Sequence, residues 1–478
     1  MGEIGDFGAA ILAVSAAIFV ALLGMRVADR FSFPYAAVFL VGAVVLGELV
    51  PKAERLLSIQ EVERIAVVAL IVILFHGGLH IGLGRFRRAA APILALGIVS
   101  TFLTAGIVAV AARYLLGFSW IEAGLIGAAI APTDPAVTFS VFGAREIRGR
   151  SGTILEGEAG MNDPVGIALM IGMIELATED DGDLWIVAEE FAVEMALGLA
   201  AGIAGVLLLL PVMRRVRLTG PALYPIRVLA GAGIIYGLAV VVGGSGFLAV
   251  FVAGILLGDA AATRKGEIES FHASLAGLAE IAAFVALGLS IAVSDLSELG
   301  VWSEGLALAA ILAFVARPLA VGPLLLPTRL RTGERLFIVW AGLKGAVPIL
   351  LGALAVLAGV DGAERIYGIV FVVVLFSVTV QGASIPLAAS RLRIPFRRID
   401  HDLAEVLEFV VEEEAFANGR RIGELPLGDR ARVGVLIRGG RPKPIDDSVV
   451  LEQGDRVHVY SQPDDTPAIQ RIFEGRRG

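Results

Sequence analysis

From residue 11 to residue 389 the chain alternates long apolar runs with short polar connections, many of them rich in arginine. Windows of about 18 or more residues recur with almost no charge, and each is long enough to cross a bilayer as a helix. The pattern predicts about thirteen spans. They centre near Ala17, Val41, Leu70, Leu103, Ala128, Ala168, Ile203, Ile234, Val252, Ala286, Ala313, Pro348 and Leu375. Beyond Arg391 the pattern changes. Residues 407–411 and 433–437 read as short strands, Gly439-Gly440 as a turn, and 456–460 alternates like a strand. The chain therefore divides into a membrane domain over residues 8–390 and a small α/β domain over 400–478, large enough for one fold, the more so if it dimerises.

Composition agrees with that division. Of 478 residues, 57% are hydrophobic and the mean hydropathy is +0.82, which excludes an ordinary soluble protein. The low aromatic share and high Gly and Ala content suit close helix packing in lipid. With no cysteine, disulfides, thiolate metal sites and Cys nucleophiles are excluded. The acidic start (Glu3, Asp6) has no basic segment of the kind that opens a cleavable signal. Arginines gather in alternate loops: Arg26 and Arg30, Arg85 to Arg88, Arg145 to Arg150, Arg214 to Arg217, Arg264 with Lys265, Arg329 to Arg335, and Arg391 to Arg398. The other loops carry acidic stretches such as Glu179-Asp180-Asp181 and Asp295 to Glu298. By the positive-inside rule the N-terminus lies outside and the C-terminus in the cytoplasm, which an odd number of spans satisfies, eleven as well as thirteen.

Two spans are interrupted. Ala131-Pro132-Thr133-Asp134-Pro135 sits mid-span, and its prolines forbid a continuous helix. Gly342-Leu343-Lys344-Gly345-Ala346-Val347-Pro348 weakens span twelve. With span seven as a linker, both breaks fall in the fifth span of a six-span half, the pattern of an inverted-repeat transporter with a midplane site. Unwound backbone at membrane depth is tolerated only where protein buries it or it lines a cavity.

Charge then marks the chemistry. Glu156-Gly157-Glu158-Ala159-Gly160-Met161-Asn162-Asp163-Pro164 places carboxylates in an apolar span, where ionisable groups are expensive and usually functional. Glu158 and Asn162 share a helix face, and Asp163 lies about 100° further round. A desolvated carboxylate favours its uncharged state, so Asp163 can hold a proton or a monovalent cation, but not both at once. The bland alternative makes Asp163 an N-cap with Pro164 at the first helical position. Lys344 is the one charge in its span and needs a partner, Glu158 or Asp163, unless it is a second titrating group. Arg317 either snorkels at a span end or neutralises an unwound helix terminus. His76 is either a packed neutral imidazole or a pH-sensitive group.

Together these motifs, with Gly244-Ser245-Gly246-Phe247-Leu248-Ala249-Val250, resemble the NhaP-type cation:proton antiporters of the monovalent cation:proton antiporter-1 family, over nearly all of residues 8–390. The resemblance implies an all-α polytopic membrane protein of about thirteen helices in two inverted repeats with two crossed broken helices, a six-helix core domain and a dimerisation domain. It further implies a homodimer in a bacterial inner membrane that exchanges one cation for one proton, without a cofactor. In that reading Asp163 carries the ion or proton, Thr133 and Asp134 shape or coordinate the site, Thr133 as a second ligand of the monovalent cation, and Asn162 and Glu158 support it, Glu158 by pairing with the basic residue of span twelve. Three positions depart from the family pattern: Lys344 stands where Arg is common, His76 where a carboxylate is frequent, and Ala159 where Ser is frequent. The tail, from Leu425-Pro426-Leu427 through Val433 to Gly440 and on to Val457, resembles a TrkA-C (RCK-C) domain, either a small-molecule sensor or a plain dimerisation module. No Gly-x-Gly-x-x-Gly follows a strand there. The tail favours K⁺ as the cation, with Na⁺ next. A tail-gated cation channel is the rival, but no Thr-Val-Gly-Tyr-Gly filter is present. No zinc-hydrolase, nucleophile-elbow or Walker motif suggests an enzyme, and no nucleic-acid partner is expected.

Overall fold

In a computed structural model, residues 33–49, 57–140, 142, 145–147, 149–178, 184–260, 264–398, 405–427, 431–461 and 466–474 are described, with scattered positions between 8 and 25. The predicted centre Ala17, and Glu3, Asp6, Arg26, Arg30, Arg148 and Glu179 to Asp181, lie outside them. The chain forms two compact units, one of residues 1–143 and 147–396 and the other of residues 144–146 and 397–478.

The first unit is helical. Its main helices, a single short turn of helix at Val293–Glu298 apart, are α1 (Tyr35–Leu49), α2 (Ile59–Leu94), α3 (Ser100–Leu116), α4 (Trp120–Ile130), α5 (Pro135–Ser140), α6 (Arg150–Thr178), α7 (Leu184–Arg215), α8 (Leu223–Val241), α9 (Gly246–Gly258), α10 (Lys265–Leu289), α11 (Val301–Ile311), α12 (Arg317–Leu325), α13 (Thr332–Trp340), α14 (Ala346–Leu357), α15 (Ala363–Phe376) and α16 (Gly382–Arg391). Among the described residues, six continuous helical stretches are long and apolar enough to cross a membrane, and four apolar helices are shorter. Large apolar side chains such as Leu207, Leu208 and Val241 stand exposed on the outside, as expected of a surface that meets lipid. The first stretch, 59–116, is kinked at Gly82, whose φ of 65° is open to glycine and strained for other residues. Its 58 residues cover both predicted centres, Leu70 and Leu103.

Short side chains set the closest packing. Gly78 and Gly82 of α2 face Gly254 and Gly258 of α9, each pair four residues apart, and a Cβ at any of them would run into backbone or side-chain atoms across the contact. This is the small-residue spacing that lets membrane helices touch. Ser245 caps α9, accepting the Leu248 N–H at 3.3 Å. Three helices loosen into π-turns, at Ala95–Val99, Leu312–Ala316 and Ser377–Gln381, a feature often met at functional sites.

Among its described residues the second unit holds a four-stranded sheet, β1 (Glu405–Val410), β2 (Ala431–Arg438), β3 (Arg441–Lys443) and β4 (Arg456–Ser461), and the helix α17 (Thr466–Glu474). The sheet order is β1-β4-β2-β3. Every pairing in this sheet is antiparallel, so the small mixed domain of the tail is of the α+β kind. Gly439 and Gly440, at φ 58° and 76°, make the two-residue turn between β2 and β3. Phe409 stacks on Phe473 of α17 at 5.4 Å, over a core that includes Leu436, Leu451, Val457 and Val459.

Candidate functional site

The two interrupted spans meet through their unwound segments. The prolines end α4 after Ile130 and start α5 at Pro135, and the second span stops at Trp340 and resumes at Ala346. Each break strands carbonyls that no helical N–H reaches, and buried carbonyls need donors. The Asp134 N–H donates to Leu343 O at 2.8 Å, tying one segment to the other. Lys344 Nζ donates to Ala131 O and Pro132 O, both at 2.8 Å. On the other side, Arg317 donates through Nη2 to Ile338 O at 3.1 Å and through Nε to Val339 O at 3.4 Å. Gln381 Nε2 serves Trp340 O at 2.7 Å, and Thr138 Oγ1 serves Ala341 O at 2.7 Å. Each broken helix thus ends against a cation, the sign its C-terminal dipole prefers.

This geometry corrects the ion pairing. Glu158 Oε1 pairs with Arg317 Nη1 at 2.6 Å, both side chains almost fully buried. Among the described residues Lys344 makes no ion pair; its ammonium is spent on the two carbonyls, though it lies close enough to Glu158 and Asp163 to feel their charge. The physical reason is donor shape. A three-donor ammonium suits two adjacent carbonyls, whereas the guanidinium fork reaches a carboxylate and carbonyls together. Arg317 is therefore a helix-terminus group that also balances Glu158. Glu156, of the same acidic run, turns away to His80 at 3.3 Å.

Asp163 is not an N-cap. Helix α6 runs unbroken from Arg150 to Thr178 through Pro164, so Asp163 stands mid-helix, 6% exposed. Beside it, Asn162 Nδ2 donates to Thr133 Oγ1 at 2.8 Å and Asn162 Oδ1 accepts the Thr133 N–H at 3.3 Å. That pair fixes the amide and pins α6 to the first break. Asp163 Oδ1 is buried with no hydrogen-bond partner among the described residues, and Asp163 feels the charges of Asp134 and Lys344. The Asp134 carboxylate lies against Gly345, where a Cβ would overlap it. It thereby sits at the N-terminal end of α14, where a helix favours an anion. Thr133, Asp134, Asn162, Asp163 and Lys344 are thus brought together, and Glu158 with Arg317 forms the adjoining layer.

His76 lies outside this group, on α2. It stacks on His80 with centroids 6.3 Å apart, its Nδ1 is buried without a partner, and it feels His80, His272 and Glu156. The sequence reading missed Glu280 on α10, a half-buried carboxylate that feels the charge of Asp134. Its signal was available, as the single carboxylate in the apolar run from Leu275 to Val285.

Residues 15–391 match the family model described as sodium/hydrogen exchanger, transmembrane. The chain is 31% identical over 469 residues to the K(+)/H(+) antiporter NhaP2 of Shewanella sp. (strain ANA-3), covering 95% of this chain and 81% of that one. It is 31% identical over 478 residues to the K(+)/H(+) antiporter NhaP of Alkalimonas amylolytica (97% and 83% covered). To the Na(+)/H(+) antiporter NhaH of Halobacillus aidingensis it is 28% identical over 381 residues (74% and 91% covered). The fold resembles that of the sodium proton antiporter MjNhaP1 from Methanocaldococcus jannaschii, with a TM-score of 0.67 at 24% identity over 79% of this chain and 99% of that one.

Proposed function

The chain belongs to the sodium/hydrogen exchanger family, and from that premise we propose that it exchanges a monovalent cation for a proton by competition at Asp163. The observation that carries this reading is the buried Asp163 Oδ1 without a partner, next to the Asn162–Thr133 pair and the crossing of two broken helices. An uncompensated carboxylate out of water is unfavourable. A proton relieves that in one state, and a cation held by Asp163 and Thr133 relieves it in the other. Because one carboxylate serves both ions, neither crosses in the same step as the other, and alternating access couples the two fluxes. Asn162 gives the amide that orients Thr133 and adds no second titrating charge, which favours electroneutral exchange.

K⁺ is the favoured cation. The relatives aligned over 95–97% of the chain, tail included, carry K(+)/H(+) in their names. The relative named for Na⁺ aligns over 74%. We read the tail as a TrkA-C-type regulatory module, and the protein as a homodimer of a bacterial inner membrane with its Arg-rich loops and C-terminus in the cytoplasm. In proteoliposomes carrying an acid-inside gradient, external K⁺ should collapse the gradient without a change in membrane potential, and Na⁺ and Li⁺ less so. Asp163→Asn should abolish the response. Retained exchange in that variant would remove Asp163 from the mechanism, and equal responses to Na⁺ and K⁺ would remove the selectivity.

A further inference from the structure

In an unbroken helix the Trp340 carbonyl would accept the Lys344 N–H, four residues on. The second broken helix lacks that bond, because it stops at Trp340 and resumes at Ala346. Both halves of the missing bond are nevertheless occupied. Gln381 Nε2 donates to Trp340 O at 2.7 Å, and the Lys344 N–H donates to Ser377 Oγ at 2.9 Å. Ser377 Oγ in turn donates to Gln381 Oε1 at 3.3 Å. That bond turns the amide so that its nitrogen faces Trp340. Three hydrogen bonds through two side chains thus stand in for one backbone bond. Ser377 is 2% and Gln381 6% exposed, so a group cut off from this bridge bears its full desolvation cost. With glycine at 342 and 345, rewinding is disfavoured, and the carbonyl and the N–H do not find each other unaided.

The local structure around the bridge fits this task. Ser377 and Gln381 bound a π-turn, across which the Gly382 N–H reaches back five residues to Ser377 O. Gly382 lies against the break itself, where a Cβ would touch Leu343 Cδ1 at 3.6 Å and overlap Pro34. Trp340 Nε1 donates to Ser384 Oγ at 2.9 Å, a second tie at the near end of the break. The far end of the bridge is Lys344, whose ammonium lies on Ala131 O and Pro132 O. Next to it, Leu343 O takes the Asp134 N–H. Pro132 and Asp134 flank Thr133, whose hydroxyl accepts the amide of Asn162, the neighbour of Asp163. We infer that Ser377 and Gln381 are positioning residues for the exchange site: they hold residues 341–344 in one unwound course and so fix Lys344, and through it the first break, beside Asp163. The inference rests on the antiport reading for its purpose, but not for its first test.

Paired substitutions isolate the polar atoms. Ser377→Val and Ser377→Thr add similar bulk, and only the second keeps a hydroxyl. In the purified full chain, amide deuterium uptake over residues 341–346 should quicken on the order of tenfold in Ser377→Val and in Gln381→Met, the worth of one hydrogen bond. Ser377→Thr should stay at the wild-type rate, and uptake in α8 should not change in any variant. Because the two side chains form one bridge, the double variant should fall short of the product of the two single effects. Uptake over 341–346 that is unchanged or slower, equal in the Thr and Val variants, or equal to the product in the double variant overturns the inference, whether or not the protein transports. In proteoliposomes Ser377→Val should raise the KM for K⁺ on the order of tenfold with the maximal rate within about twofold, and Ser377→Thr should restore KM. An unchanged KM, or a fall in maximal rate alone together with a lower melting temperature, makes the pair merely structural and also overturns it. Wild-type protein that moves no protons in response to any cation fells the antiport reading instead, leaving deuterium uptake to judge the bridge.

Discussion

At residues 131–134 two carbonyls are left over and one ammonium takes both; at 338–343 five are left over and a guanidinium, an amide, a hydroxyl and a backbone N–H share them. The guanidinium is further locked to Glu158, so the charge at the second break is balanced within its own layer. Among the described residues the ammonium makes no ion pair, and its electrostatic surroundings include Glu158 and Asp163. Of the two cations that end broken helices, one is structural and closed. The other is open to the charge that Asp163 carries, so a change in that charge acts on the first break.

The largest effect should come from the closed side. Arg317→Met strands a buried Glu158 charge and leaves Ile338 O without a donor, a loss of about 3–5 kcal/mol visible as a lower unfolding temperature in detergent. The double variant with Glu158→Met should recover most of it. Lys344→Met strands no charge and leaves two carbonyls bare, so its loss should be smaller, roughly 2–3 kcal/mol. A larger loss for Lys344→Met than for Arg317→Met would make Lys344 the true ion-pair member and reverse the comparison. Gly345→Ala drives a methyl group into the Asp134 carboxylate, at about 1–3 kcal/mol, and should raise the KM for the cation. Gly106→Ala, where the space is open, should be neutral or slightly stabilising and serves as its control.

The smallest effect concerns the same chemistry at the water's edge. In the tail Arg438 bonds Asp455 at 2.8 and 2.7 Å. Burial alone would lift the Asp455 carboxyl, but bonds from Arg438 and the Glu452 N–H outweigh it and hold it below its ordinary value. A carboxylate depressed in the folded state adds stability that is complete above its unfolded value of about 3.9 and disappears as pH falls through the lower folded value. Hydrogen exchange of the 431–461 amides in the full chain should therefore quicken only below about pH 4. Asp455→Asn should remove that acid response at about 1 kcal/mol under neutral conditions.

What the sequence made legible was local. Proline and glycine announce breaks wherever they stand, so both interruptions could be read, and so could the run from Glu158 to Asp163. Partner choice was not legible. Helical spacing relates residues on one helix, but only packing decides whether Arg317 or Lys344 comes within 2.6 Å of Glu158. The Ala-Arg-Pro setting of Arg317 pointed equally to a span end and to a helix terminus. Glu280 was lost for a different reason. A hydropathy window avoids charge, so span ten was centred at Ala286, past the carboxylate, whereas α10 runs from Lys265 to Leu289 with Glu280 inside it. Window averages suppress the very residues that make such a span worth studying.

The two bonds from Lys344 end on main-chain oxygens, and that makes tolerance to change one-sided. A carbonyl is present whatever side chain the residue bears. Position 131 can therefore drift among small residues without losing its half of the bond, while position 344 accepts little except a cation. In a collection of variants selected for growth, substitutions should accumulate at 131 and be nearly absent at 344, with no compensating pair to reveal that the two positions touch.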